Sequence, residues 1–218
     1  MQRYPTVVTS ERHSDTTLRQ LLLGSSSGYR AFKVLTRGEV TMRAIADQYI
    51  RPQPGERVLD VGCGYGDLAL YLPNVTYVGV DVNERYIDFA QRNNTGEAEF
   101  VTADVTELSQ EQYGRFDCAT LIGVLHHMSD SDVTRTLKAV SGMLNPHGRL
   151  LAAEPVWEPS QPTTARVLAA LDRGRYVREQ TRYEELVSPW FAKTVSEIRH
   201  DLFWFPYTHC MISATLDG

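Results

Sequence analysis

The chain has 218 residues and a net charge of −5, from 22 Lys and Arg against 27 Asp and Glu. That length allows one substantial hydrophobic core and one domain. The acidic balance argues against a polynucleotide as the main partner, because nucleic-acid binders carry a basic excess that neutralises phosphates.

The opening run MQRYPTVVTSERHSD is polar and lacks the apolar stretch of a signal peptide. No later run approaches the roughly 20 apolar residues of a spanning helix, so a soluble, cytoplasmic protein is expected. Leu18–Leu23 reads as a short helix closed by Gly24-Ser25-Ser26-Ser27-Gly28. Met42, Ile45, Ala46, Tyr49 and Ile50 then fall at helical spacing, and Pro52 and Pro54 stop the run.

From Arg57 onward short apolar runs alternate with helical patterns. Strands are expected at Arg57–Val61, Thr76–Asp81, Glu99–Ala103, Phe116–Gly123 and Arg149–Glu154. Helices are expected at Asp67–Leu72 and Glu84–Arg92, with a short one after Thr106. A further helix carries Val133, Leu137, Val140 and Leu144, with Ser129 and Asp132 spaced like a capping box. This alternation predicts right-handed crossovers and a parallel sheet covered on both faces. After Glu154, prolines 155, 159 and 162 mark a loop, and Thr164–Leu171 and Arg182–Trp190 read as helices. Lys193–His200 and Phe203–Ala214 read as two strands joined by a tight turn, an antiparallel edge for the sheet.

The cysteines Cys63, Cys118 and Cys210 are odd in number and far apart. They fit neither a disulfide framework nor a metal-ligand pattern, so no metal site is read and reduced thiols are expected. The strongest chemical signal is Asp60-Val61-Gly62-Cys63-Gly64-Tyr65-Gly66, directly after the first strand. Glycines there let the backbone bend sharply and approach a ligand closely before a helix. The spacing Gly-x-Gly-x-Gly differs from the dinucleotide fingerprint and leaves less room for a pyrophosphate. Asp81 closes the second strand, where an acid either accepts two ribose hydroxyls or caps the next helix. Asp104, after the third strand, has the same two readings.

Residues 57–154 together resemble the core of class I S-adenosylmethionine-dependent methyltransferases, and Asp172-Arg173-Gly174 with Tyr176-Val177-Arg178, followed by Pro206-Tyr207-Thr208-His209, resembles their small bacterial, small-molecule type. Asp60-x-Gly62-x-Gly64-x-Gly66 is similar to that family's first motif. Asp81 matches its ribose-binding acid, Asp104 its adenine-contacting acid, and Phe116-Asp117 the opening of its fourth strand. Asn145-Pro146-His147-Gly148-Arg149-Leu150 resembles the turn before its fifth strand, departing at Asn145 and His147. The resemblance implies a three-layer Rossmann-like α/β fold with a seven-stranded, mostly parallel sheet and an antiparallel C-terminal hairpin. It implies S-adenosylmethionine as cofactor and S-adenosylhomocysteine as product. Asp60, Gly62, Cys63, Gly64 and Gly66, with Ile122 and Gly123, would line the methionine end. Asp81 and Val82 would lie at the ribose, and Asp104 and Val105 at the adenine. Within one domain, residues 1–56 would form N-terminal helices acting as a cofactor lid. Residues 57–154 would be the cofactor-binding core, and 155–218 the substrate-side helices and hairpin.

His126 and His127 follow the fourth strand, where a base would face an acceptor, and their ordinary pKa suits proton transfer near neutrality. The alternative is that one packs beneath the lid and the other caps a helix. Arg166, Arg173, Arg175, Arg178 and Arg182 cluster within Ala165–Arg182, as a solvated face or as forks for an anionic group. Arg173, Tyr29, Tyr207 and His209 are the candidate substrate residues. The expected reaction is methyl transfer to an oxygen or nitrogen of a small polar acceptor, sugar-derived, natural-product-like or anionic. The protein would work as monomer or homodimer, without nucleic acid or membrane. The rival readings are a non-catalytic sensor of S-adenosylmethionine, an RNA methyltransferase and a nicotinamide-dependent reductase. The last lacks its third glycine at the right place and a Tyr-x-x-x-Lys pair, and the RNA enzyme its Asn/Asp-Pro-Pro-Tyr motif.

Overall fold

The computed structural model describes residues 38–94, 96–171 and 174–217. The helix expected at 18–23, the glycine–serine run after it, Tyr29 and Arg173 lie outside the described residues. Residues 37–218 form one compact unit.

The first strand, β1 (Arg57–Val61), lies centrally, between β2 (Thr76–Asp81) and β4 (Phe116–Ile122), and runs parallel to both. β3 (Glu99–Thr102) flanks β2, and β5 (Leu144–Trp157) flanks β4, again in parallel. Beyond β5 come β8 (His209–Thr215) and then the edge strand β7 (Lys193–Arg199), both pairings antiparallel. The order is β3-β2-β1-β4-β5-β8-β7, and the two-residue β6 (Arg178–Glu179) pairs with the end of β5 off this path. The mostly parallel α/β sheet with an antiparallel edge is therefore as the sequence predicts.

Alternation along the strands feeds two cores. Leu59, Val61, Val78, Val80, Ala119 and Leu121 bury against one side, with Val133, Leu137 and Val140 of α3 (Asp130–Met143) and Tyr183 and Val187 of α4 (Gln180–Val187). Val58, Tyr77, Cys118, Leu151, Ala153 and Met211 bury against the other. Their partners are Ile45 of α1 (Gly38–Ile45), Ala46 and Ile50 of the wide turn that continues it, and Ile87 and Ala90 of α2 (Glu84–Asn93). Among the described residues no helix is long and apolar enough to cross a membrane.

Four boundaries differ from the sequence reading, each for a local reason. Asp67–Tyr71 is a tight 3-10 turn rather than an α-helix. It has only five residues between left-handed Gly66 and the Leu72-Pro73 stop. β5 extends past both expected ends. Its start pairs Leu144 with Phe116 and then bulges before Arg149 meets Cys118. Its finish carries Pro155 and Val156 on to His209 and Arg178. Of the segment read as a loop from its prolines, 155–157 is strand because neighbours on both sides hold it, while 158–162 is loop as expected. The expected tight turn between the last two strands is instead the irregular stretch 200–208. There Phe203 stacks on Phe205 (centroids 4.9 Å apart) and packs edge-on against His209 (4.8 Å), and Pro206 offers no ladder donor.

Candidate active site

The loop after β1 turns on three left-handed glycines, Gly62 (φ 72°), Gly64 (54°) and Gly66 (75°). Two are required by packing as well as by angle. A Cβ on Gly62 would lie 2.6 Å from Val124 Cγ2, and one on Gly66 2.5 Å from the Phe100 ring. Among the described residues, a Cβ on Gly64 would meet nothing within 4 Å. The loop thus packs down on its outer glycines and presents its middle one to open space.

Asp81 settles one of its two readings by geometry. Asn83, not Asp81, caps α2, its side chain accepting from Arg85 N. Asp81 Oδ2 accepts the N–H of Gly64 (3.0 Å) and Oδ1 that of Asn83 (2.8 Å). The carboxylate joins the glycine loop to the end of β2 and keeps lone pairs for further donors. Val82, next in chain, is 73% exposed. Asp104 does act as a cap: Oδ1 accepts from Thr106 N (2.9 Å) and from its hydroxyl (2.7 Å), with Val105 buried beside it.

Asp60 points into the sheet rather than into the open cradle. Thr120 and Tyr77 donate their hydroxyls to its two oxygens, at 2.6 and 2.5 Å, so one buried carboxylate crosslinks β4, β1 and β2. Burial pushes its carboxyl up to about 6 despite those two donors. Burial, with Asp60 and Asp81 nearby, also holds the Cys63 thiol far above its ordinary range, which leaves it an unreactive packing group.

Gly123 ends β4 with a left-handed φ of 69°, and the chain folds into a short turn, Leu125–His127. That turn rests on Glu154 of β5, which has no exposed surface. Oε1 accepts the N–H groups of Val124 (2.9 Å) and Leu125 (2.8 Å), and Oε2 that of His126 (3.2 Å) together with the His126 ring Nδ1 (2.7 Å). His126 is buried, and exposed His127 lies with its ring centroid 4.0 Å away.

The arginine cluster divides. Arg178 is buried and fully engaged, with Asp130 (2.8 Å) and the carbonyls of Leu125, Tyr176 and Met128. Arg182 also pairs with Asp130, and both guanidinium groups hold that carboxyl below its usual range. Arg166 lies over the Trp157 ring. Tyr207 and His209 are buried and tilted on one another at 4.9 Å, within the aromatic stretch before β8. His209 is paired with Pro155 across the strands, one residue beyond Glu154.

Residues 58–148 match a family model described as a methyltransferase domain. Residues 58–148 are thus a methyltransferase domain by sequence. The family's methyl donor is S-adenosylmethionine. An uncharacterized methyltransferase, YodH of Bacillus subtilis, is 27% identical over 178 residues, covering 78% of this chain and 75% of that protein. Among solved structures, the pyocyanin biosynthetic protein PhzM has a TM-score of 0.69 at 19% identity, over 90% of this chain and 60% of that one. The plantazolicin methyltransferase BpumL, solved with S-adenosylhomocysteine, has 0.64 at 13% identity, over 92% and 95%. Both are likenesses of fold. The chain spans about a third to a half of the length of most of the curated relatives it matches.

The methyltransferase domain brings the glycine loop, Asp81, Ile122-Gly123 and the His126 turn to the same carboxyl edge of its parallel strands. The residues present fit the donor: Gly64 leaves an open cradle, and Asp81 retains acceptor capacity. The sequence reading missed Glu154, Thr120 and Tyr77. Glu154 had a visible signal, since an acid directly after the apolar run Leu150–Ala153 is costly to bury unless it has partners.

Proposed function

We propose that the protein transfers a methyl group from S-adenosylmethionine to an oxygen or nitrogen of a small polar molecule, with sugar-derived, natural-product-like or anionic acceptors favoured. The observation that carries this reading is one edge of the sheet that pairs an open glycine cradle with a buried, carboxylate-held histidine. Curated relatives include proteins named as O-methyltransferases and a phosphoethanolamine N-methyltransferase, which supports oxygen and nitrogen as acceptor atoms.

In this reading the bound donor supplies an electrophilic sulfonium methyl. Gly62, Cys63, Gly64 and Gly66 offer backbone to its methionine end, with Asp60 fixing the loop from below and Ile122 and Gly123 bordering the methyl. Asp81 accepts the ribose hydroxyls, with Val82 alongside, and Asp104 and Val105 face the adenine. His126 takes a proton from the acceptor, and His127 borders it. Holding acceptor and methyl close and in line provides much of the acceleration. Tyr207, His209 and Arg173 are assigned to the acceptor side. Residues 57–154 serve as cofactor core and 155–218 as acceptor wall. Because Arg178 and Arg182 are occupied by Asp130, Arg173 is the cluster's candidate for an anionic acceptor group.

Calorimetry with S-adenosylmethionine, S-adenosylhomocysteine and NADH, on wild type and Asp81→Ala, tests the reading. Micromolar binding of the first two, weakened at least tenfold in the variant and absent for NADH, is expected. Binding of NADH alone overturns it. Turnover is then read as S-adenosylhomocysteine release across a panel of small hydroxyl and amine acceptors. Binding without turnover, unaffected by replacing His126 and His127, favours a sensing protein instead.

A further inference from the structure

The buried side chains of Asp60, Glu154 and Arg178 are all matched by donors or acceptors of the protein itself. Gln161 is different. It is only 5% exposed, and neither its Nε2 nor its Oε1 has a hydrogen-bond partner among the described residues. Asn94, by contrast, leaves only its Oδ1 unmatched, since its Nδ2 donates to Ala90 O at 3.0 Å. An amide buried with both ends unmatched forgoes two donors and an acceptor, which is costly in a medium that cannot replace them.

The turn that carries Gln161 is otherwise well made. Gln161 N donates to Glu158 O (3.1 Å), and the Ser160 hydroxyl lies 2.7 and 2.8 Å from the two Glu158 carboxylate oxygens. Pro159 and Ser160 are exposed while Gln161 is buried, so the turn sets the amide on its inner side. This is the first stretch after β5 leaves the sheet, at the same carboxyl edge as the glycine loop and Gly123. β5 leaves beside the aromatic stretch that precedes β8: Pro155 is paired with His209, and Val156 N donates to Thr208 O at 3.3 Å. In that stretch Phe203, Phe205, Tyr207 and His209 pack ring against ring. An unmatched amide and a group of rings thus border one end of one strand.

We propose that Gln161 is a specificity-determining residue for the acceptor and recognises a carboxamide or lactam edge on a flat, largely apolar body. This rests on the methyl-transfer reading, which puts the acceptor at this edge of the sheet. The chemistry follows from what the side chain lacks. Its Nε2–H needs an acceptor and its Oε1 a donor, side by side. A C=O next to an N–H meets both in one two-point contact, whereas a carboxylate meets only the first. A site built around such a pair rejects an analogue lacking one half, because a buried group then stays unpaired.

Calorimetry on protein loaded with S-adenosylhomocysteine tests this with 3-hydroxybenzamide, its N,N-dimethyl derivative and 3-hydroxybenzoate. The primary amide is expected to bind at least about tenfold tighter than either of the others. Gln161→Met is expected to erase that preference and leave S-adenosylhomocysteine binding unchanged. Equal binding of the three probes, the result if solvent alone serves the buried amide, overturns the proposal. So does a primary amide that fails to bind, or a preference that survives in Gln161→Met. Thermal unfolding without ligand gives a second readout. Met leaves no polar atom to match, so the variant should melt no lower than wild type, and a lower melting temperature would show an amide already bonded within the fold. The comparison of probes on wild type needs no variant. Failure of S-adenosylhomocysteine to bind wild type removes the methyl-transfer reading, while the amide preference, read on the unloaded protein, still reports on Gln161.

Discussion

The two ends of the site are built by opposite means. At β1 and β2 the space is made by leaving side chains out: three left-handed glycines turn the chain, and only Gly64 looks into the opening. At β4 and β5 it is made by burying polar side chains: Glu154 holds a turn and an imidazole, and Arg178 clamps the segment that covers them. A site of backbone tolerates wide variation around it and fails when a Cβ is added. A site of buried polar groups fails when one partner is removed, because the others are left unpaired in a medium that cannot solvate them.

Arg178→Ala is the strongest way to test that contrast. It removes a buried cation and leaves three carbonyls and Asp130 without their shared donor. A loss of about 3–5 kcal/mol in urea unfolding is expected, with the 174–178 segment gaining protease sensitivity. A loss below about 1 kcal/mol would reduce the clamp to a surface ion pair.

Asp60 tests whether the glycine side also depends on a buried charge. Its carboxyl titrates at about 6 in the fold against 3.8 ordinarily. A raised carboxyl means that the folded state favours the proton. Its contribution is therefore complete below about pH 4 and is lost as pH rises through about 6. Asp60→Asn cannot lose that proton. Its stability relative to wild type should improve by up to about 3 kcal/mol between pH 4 and pH 7. A difference that does not change with pH would place the charge elsewhere.

Two glycine variants sharpen the comparison further. Gly66→Ala combines a positive φ with a clash against Phe100 and should cost roughly 2–3 kcal/mol of stability together with S-adenosylhomocysteine binding. Gly64→Ala has only the backbone strain, about 1 kcal/mol, and should leave the fold intact while weakening S-adenosylhomocysteine binding about tenfold. Equal thermal shifts in the two variants would contradict the distinction between a packed and an open glycine.

The glycine end was legible in sequence because its information is local. Gly62, Gly64 and Gly66 follow an apolar strand directly, and Asp81 ends the next one. The same locality gave β1, β2, α2 and the Ser129 cap within a residue or two of their observed limits. The histidine end was legible only in part. His126 announced itself after β4, but its partner Glu154 lies 28 residues away, and Gly174 and Arg178 farther still. Proline composition likewise hid the end of β5, since Pro155 suggests a loop until the neighbouring strands are known.

Periodicity and conformational freedom are properties of neighbouring residues, so the β-α alternation, the apolar strands and the glycine turn could be read along the chain. What each polar group does depended on the folded contacts. Asp81 ties the loop rather than capping a helix, Asp60 crosslinks strands from beneath, two arginines are taken up by Asp130, and Glu154 sets the His126 ring. Each of those outcomes depends on which donors surround a carboxylate once water has been excluded. Residues distant in sequence and adjacent in space supply those donors.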